Sequence, residues 1–449
     1  MSTSEKSLSA AGRAGSLTLL AVCTLSVLAL PAWAAGSVLY VDPSSSSCSD
    51  GSAGGSSTKP FCTLTRAATV AKAGDTVLLS SGTYAELLRP KNSGTAGAPI
   101  VFQPRPGDQV TLAGAGAYGV VVSSRSYLTI RGFSVTGTPD DGIYVKSSDH
   151  IVIEGNHVSA AGLPIEGSTA RGITVNATTD SVVSGNLVDH NSDAGIYLGS
   201  GTTRVTVVGN EATANARGYT RAAAGIDIRS AGNSVLNNNS HQNEDSGVQI
   251  RTGGDNTLVA GNVVWLNGDH GIDVLQAPGC QIIGNSAYRN VTAGINDEGT
   301  APGSTGAVIM NNISVDNGIN SPRTDGQIRV DKNSTSNTVV DGNLVYLSVP
   351  GSGNMMQWGS SKYKTLQEFQ AGSGQEQRGL QADPLFVDAA SGDLRLLAGS
   401  PAIDSADSSV AGTWLTDLYG GQRVDDPSVT DTGVGPRSYD DRGAVERQP

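Results

Sequence analysis

The chain has 449 residues, 58 of them glycine, with 5% aromatic residues and a formal net charge of −12. An acidic surface of this kind excludes nucleic acid as a partner, because phosphate binding needs clustered lysine and arginine. It leaves open a polyanionic sugar, provided that a local basic patch or a bound cation stands between the like charges.

The first 34 residues read as a secretory signal. Lys6 and Arg13 give a basic start, an apolar run extends from Leu17 to Leu30, and Ala32-Trp33-Ala34 supplies a small-x-small cleavage site. The run is too short for a membrane span, and no second one follows. A secreted protein is expected, with residues 35–449 as one domain and no membrane contact after cleavage. In that oxidising setting Cys48 and Cys62, which flank a Ser/Gly-rich stretch, are expected to form a disulfide. Cys280 sits at an apolar repeat position and reads as buried packing. No Cys/His spacing resembles a zinc site.

Residues 35–126 read as an N-terminal cap and first coils, with one amphipathic helix over about Leu64 to Lys72 that covers an open sheet edge. From 127 to 345 two phrases alternate. One is Gly-Ile-x-Val-like, at Gly142, Gly172, Gly195, Gly225, Gly247, Gly271 and Gly294, with a variant at Gln327-Ile328-Arg329-Val330. The other is an apolar pair followed by asparagine, at Asn156, Asn186, Asn210, Asn238, Asn262, Asn285, Asn312 and Asn343. A further asparagine follows five residues later in six coils, from Asn191 to Asn317. A period of 22 to 24 residues, stretched to about 30 by loops, marks a solenoid whose coils cannot bury their apolar face alone. Strict alternation in "GIYVK", "GIDIR" and "GVQIR" gives short strands. The expected fold is all-β, a right-handed parallel β-helix with three strands to a coil. Stacked asparagines should form ladders that satisfy the turns. Residues 346–449 read as C-terminal coils or cap, with a short helix in "YKTLQEFQAGSG", a two-stranded turn in "DPLFVDAASGDLRLL" and a loosely packed tail over Asp440 to Glu446.

The opening "LYVDPSSSSCSDGSAGGSSTKPFCTLTRAATVAKAGDTVLLSSGTY" with "NSGTAGAPIVFQP", the repeats, and the closing "ADPLFVDAASGDLRLLAGSPAID" resemble pectate-lyase-like β-helix proteins, family 9 pectate lyases among them. The resemblance covers nearly the whole chain after the signal. It is specific for fold and weak for substrate.

Counting from each repeat glycine places Asp227, Arg229, Arg251 and Asp273 outward on one sheet, with Asp245 and Asp269 in the turns before it. Carboxylates at this density can hold Ca²⁺, which takes six to eight hard oxygens. Asp227, Asp245, Asp269 and Asp273 are the candidate ligands. Arg229 and Arg251 can grip a sugar carboxylate through paired hydrogen bonds. The matching reaction on an acidic, uronate-containing polysaccharide is β-elimination, in which a base removes the C5 proton and the 4-linked sugar departs.

The resemblance implies calcium held by an Asp of one coil and by an Asp-Asp-Gly-x-Asp phrase in the next. Asp245 and Asp269-His270-Gly271-Ile272-Asp273 match three of its four carboxylates. It also implies a lysine base, and no lysine occurs between residues 147 and 331. Arg251, Arg229 or His270 is the substitute, histidine having the proton affinity suited to neutral pH. Asp297 and Glu298 are further substrate-binding candidates. With Asp273 or Asp331 they could instead form the carboxylate pair of a glycoside hydrolase. A non-catalytic carbohydrate-binding or cell-surface protein is the third reading. The three tryptophans after the signal, Trp265, Trp358 and Trp414, are few for a neutral glycan, which is usually held on aromatic platforms. A monomer is expected.

Overall fold

The computed structural model describes residues 36–113, 116–162, 169–217, 223–321, 323–410 and 416–449. The expected signal segment and Trp414 lie outside them. Three sheets run along the solenoid, with 12, 12 and 11 strands among the described residues, parallel except for Ser361–Tyr363 at the end of the third, which runs antiparallel to Met356–Gly359. Each coil between Ile100 and Gly359 contributes one short strand to each. The strand Ile272–Leu275 of the third sheet, for example, pairs with Val248–Ile250 of the coil before and Ile295–Glu298 of the coil after. Inward residues of this sheet, such as Ile226, Ile228, Val248, Ile250, Ile272 and Val274, are fully buried. The two-residue period of a strand thus sets which side chains form the core.

The asparagines form two ladders. In the first, the side-chain amide of each asparagine donates to Oδ1 of the next, from Asn156 to Asn343. In the second the same chain runs from Asn191 to Asn317. Each Nδ2 also donates to a backbone carbonyl of the coil before, as Asn262 does to Val235 O at 2.9 Å. The first ladder ends on the Glu376 carboxyl, 2.6 Å from Asn343 Nδ2, and the second on Gln327. Both ends therefore meet a longer side chain that completes the last rung.

The second ladder explains the repeat glycines. A Cβ at Gly195 would lie 2.7 Å from the Gly225 carbonyl oxygen and 2.8 Å from Asn215 Nδ2. Only glycine lets the turn approach the ladder this closely.

Helix α1 (Leu64–Val70) starts at Thr63, whose side chain accepts the Arg66 N–H, and buries Leu64, Ala67 and Ala68. The Cys48–Cys62 disulfide precedes it, and Cys280 is free and buried. Helix α2 (Leu366–Ser373) has a reciprocal cap between Thr365 and Glu368. Its Phe369 packs edge-on against Trp358 and Tyr363.

The C-terminal region continues the coils as far as Leu380–Gln381 and forms the expected two-stranded turn, but its end is not a loose tail. The hairpin Phe386–Asp388 with Asp393–Leu396 is antiparallel. From there the chain folds back over the outer face of the second sheet. Leu394, Leu396, Ile403, Ala444 and Val445 cluster with Trp265, Tyr288, Ile313, Val315 and Leu344. Asn311 exchanges two 2.9 Å hydrogen bonds with the backbone of Asp407. Residues 440–446 are buried, and Arg423 is paired there with Glu446 at 2.7 Å. Their polarity reflects this internal pairing, not solvent exposure. Among the described residues, no helix is long and apolar enough to cross a membrane.

Candidate functional site

The outer face of the third sheet carries a column set by the strand register: Tyr197, Asp227, Gln249, Asp273, Asn296 and Arg329, one per coil. Such positions on a solvated solenoid are exposed. Here Asp227, Gln249 and Asp273 are each 4% exposed and Asn296 is 0% exposed. Burying this much polarity costs free energy unless every group is bonded, and the column is bonded along its length. Arg251 Nε donates to Gln249 Oε1 at 2.6 Å, and Gln249 Nε2 to Asp273 Oδ2 at 2.9 Å. Asn296 Nδ2 donates to Asp273 Oδ1 at 2.8 Å, and Arg329 Nη1 bridges Asn296 Oδ1 and Glu298 Oε2 at 2.5 Å each.

His270 lies in the turn beside this column. Its Nδ1 is 2.7 Å from Thr292 Oγ1, which donates to Asp269 Oδ1 at 2.6 Å. Thr292 Oγ1 thus bridges the imidazole and the Asp269 carboxylate. The Ala293 N–H donates to Nδ1 at 3.1 Å, and Nε2 faces Asn296 Nδ2 at 3.2 Å.

The candidate calcium ligands are only partly brought together. Asp227 is held by Arg229, with Nη2 to Oδ2 at 2.9 Å and Nε to Oδ2 at 3.1 Å, and drops out of the set. Burial first, and then the charges of Asp269 and Asp273, push the Asp245 carboxyl up to about 6. These three carboxylates thus share one field, and their mutual repulsion is what a hard cation relieves, so in chemistry they fit Ca²⁺. The tightest group is different: one ring nitrogen of His270 and one oxygen each of Asp273 and Glu298 lie within 4.8 Å of one another. Burial raises Asp273 as well, against the favourable influence of His270, Gln249 and Asn296.

Two further expectations are corrected. Burial alone would lower the Arg229 guanidinium, but the hydrogen bonds and charge of Asp227 hold it above its ordinary value. That argues against Arg229 as a base and leaves it a cation. Its guanidinium also lies 5.5 Å from the Tyr197 ring, whose other neighbour, Arg171, is at 4.0 Å. Arg251 remains a cationic contact, 3.9 Å from Asp245. Asp297 does not reach this face. It pairs in register with Val274 and Val330, an inward position, and is 0% exposed. It can neither bind substrate nor supply a hydrolase's carboxylate pair with Asp273 or Asp331, and the carboxylate of Glu298 is closed by Arg329.

Sequence reasoning missed Arg329, Thr292, Gln249 and Asn296 as working parts. Counting onward to the variant phrase, where Gln327 stands in the glycine position, would have found Arg329. Arg323, 3.0 Å from Asp269, sits in a loop and carried no repeat signal.

Comparisons with known proteins agree with this fold. The relative "Uncharacterized protein YwoF" of Bacillus subtilis (strain 168) is 26% identical over 437 residues, covering 82% of this chain and 92% of its own. The crystal structure of pectate lyase Pel9A is similar with a TM-score of 0.56 at 17% identity, covering 93% of this chain and 98% of that one. A rhamnogalacturonan lyase gives 0.54 at 16%, covering 81% and 95%. Residues 47–92 match a protein family of unknown function, DUF1565. Matches to the family described as right handed beta helix region cover residues 107–264 and 218–345, together more than half of the chain, and with its pectate-lyase-like architecture this protein belongs to the right-handed β-helix family.

Proposed function

We propose that the chain is an exported polysaccharide lyase that cleaves an acidic, uronate-containing glycan by β-elimination on the outer face of the third sheet. The observation that carries this reading is the hydrogen-bonded row Arg251–Gln249–Asp273–Asn296–Arg329, its three middle members buried, which a merely solvated face has no reason to build. Arg251, with Arg229 beside it, offers guanidinium groups to the substrate carboxylate and so acidifies C5–H. His270 is the general base we assign to that proton. The C5–H electrons form the C4=C5 double bond, the C4–O bond breaks, and the released oxygen takes a proton from solvent. Thr292, within hydrogen-bond distance of both His270 Nδ1 and Asp269 Oδ1, positions the imidazole. A calcium ion held by Asp245, Asp269 and Asp273 would supply further positive charge for the substrate carboxylate.

The test is absorbance near 235 nm while the purified protein acts on polygalacturonate, alginate and glycosaminoglycans, with Ca²⁺ or with EDTA. A rise supports elimination, and its loss in EDTA supports the cation. Reducing ends released without absorbance would replace the lyase with a hydrolase, and neither signal would leave a binding protein.

A further inference from the structure

A second acidic group lies far from the third sheet, in the C-terminal segment that covers the second sheet. Carboxylate oxygens of Asp404, Asp425 and Asp431 lie within 4.8 Å of one another. Asp425 and Asp431 are exposed, and Asp404 is 0% exposed. Asp404 Oδ2 is sealed from solvent and has no hydrogen-bond partner among the described residues. Its other oxygen receives only the Asp426 N–H, at 3.4 Å. A buried carboxylate oxygen is not left bare without cost.

Nothing of opposite charge pairs with these three groups among the described residues. The arginine in the neighbourhood, Arg447, is taken by Asp426. The Asp404 carboxyl is pushed up to about 6 by burial and by the charges of Asp431 and Asp425. Around the same residue the backbone is drawn tight: the Asp404 carbonyl accepts the N–H groups of Thr432 at 2.8 Å and Gly433 at 3.0 Å. Its own N–H donates to Asp441 Oδ1 at 2.8 Å. Asp404 is therefore the post around which residues 426–433 arch.

We propose that Asp404, Asp425 and Asp431 form a Ca²⁺ site that clasps the 425–433 arch onto the segment covering the second sheet. The donors are all carboxylate oxygens, with no histidine or cysteine in the group, which disfavours zinc and later transition metals. One buried anchor with two donors on a surface arch suits the adaptable coordination of calcium better than the strict octahedron of magnesium. The exposed pair leaves the site open to an ion from solvent. An affinity in the range of extracellular calcium modules, Kd on the order of 0.1–1 mM, is expected.

The test uses the full chain and counts bound ions by equilibrium dialysis against ⁴⁵Ca²⁺, alongside the Tm with Ca²⁺ and with EDTA. The Asp425→Asn/Asp431→Asn double variant should bind one ion fewer than the unaltered protein. It should also lose a Ca²⁺-dependent rise in Tm of roughly 2 °C or more, while its Tm in EDTA stays at or above that of the unaltered chain because repulsion is relieved. Asp404→Asn should lose the same ion. An Asp245→Asn/Asp273→Asn variant, altered only on the third sheet, should keep it, which separates this site from any cation used there. An unaltered chain that binds no Ca²⁺, or a double variant that retains both the ion count and the Tm response, would overturn the proposal.

Discussion

Asp297→Val should make the protein more stable, and increasingly so as pH rises. Asp297 occupies an inward position flanked in register by Val274 and Val330, so valine continues an existing apolar column. Neither carboxyl oxygen has a hydrogen-bond partner among the described residues. The nearby Ser304 spends its proton on the Glu298 carbonyl at 2.7 Å. Leaving such a group unpaired costs about 1–3 kcal/mol even when it is neutral. Burial foremost, with the charge of Asp331 behind it, holds the carboxyl well above its ordinary range. The folded state then keeps a proton that the unfolded chain releases above about pH 4. Stability of the unaltered protein therefore falls by about 1.4 kcal/mol per pH unit between the unfolded and the raised folded value, and valine removes that loss. Urea unfolding at pH 4, 5 and 6 measures the gap: about 1–3 kcal/mol at pH 4 and widening as pH rises. Asp297→Asn should remove the pH slope while keeping the unpaired polarity. A valine variant less stable at every pH, or a gap that does not change with pH, would show that Asp297 is ionised and paired, and the reasoning would fail.

Asn262→Ala should cost on the order of 3 kcal/mol or more in urea unfolding, because it strips the acceptor from Asn238 N–H and Nδ2 and the donor from the Val235 carbonyl and Asn285 Oδ1. Glu376→Gln should gain stability over the unaltered protein as pH rises from about 4.5 to about 8. Burial holds the folded Glu376 carboxyl up to about 8, so the unaltered chain loses stability across that window and glutamine does not; melting temperatures at pH 5 and 8 check the sign. In the lyase assay Thr292→Val should lower kcat by roughly 10- to 100-fold with KM little changed, since it breaks the link between His270 and Asp269 without touching the arginines. An unchanged kcat would remove His270 from the base role.

Period and parity carried most of the fold. The repeat glycines, the two asparagine rows and the alternation in "GIDIR" each report a contact between a coil and its neighbour, so a pattern along the chain is also a pattern in space. The disulfide, both helices and the C-terminal hairpin were legible from local chemistry in the same way. The C-terminal covering segment was not. It is held by partners such as Asn311 with Asp407 and Ser286 with Ala444, so far apart in sequence that its polar residues looked like tail.

The site was legible as a face and not as a set of pairings, and the reason is physical. Register decides which residues share a face, but the direction of a long side chain is decided by which neighbour offers the better bond. Asp227 and Asp273 occupy the same column and read alike. One turns to Arg229 just past the end of its own strand, and the other is gripped by amides from the coils on either side, Gln249 and Asn296. Asp297 shows the opposite failure: an adjacent pair of acids suggested one site, yet strand parity alone sends Asp297 inward and Glu298 outward. Parity is the stronger rule here, because a strand paired on both edges cannot rotate to bring two neighbours to one face. Glu298, left on the outside, is then the acid that can share Asp273 and His270 as neighbours, and Arg329 one coil on is what holds it there.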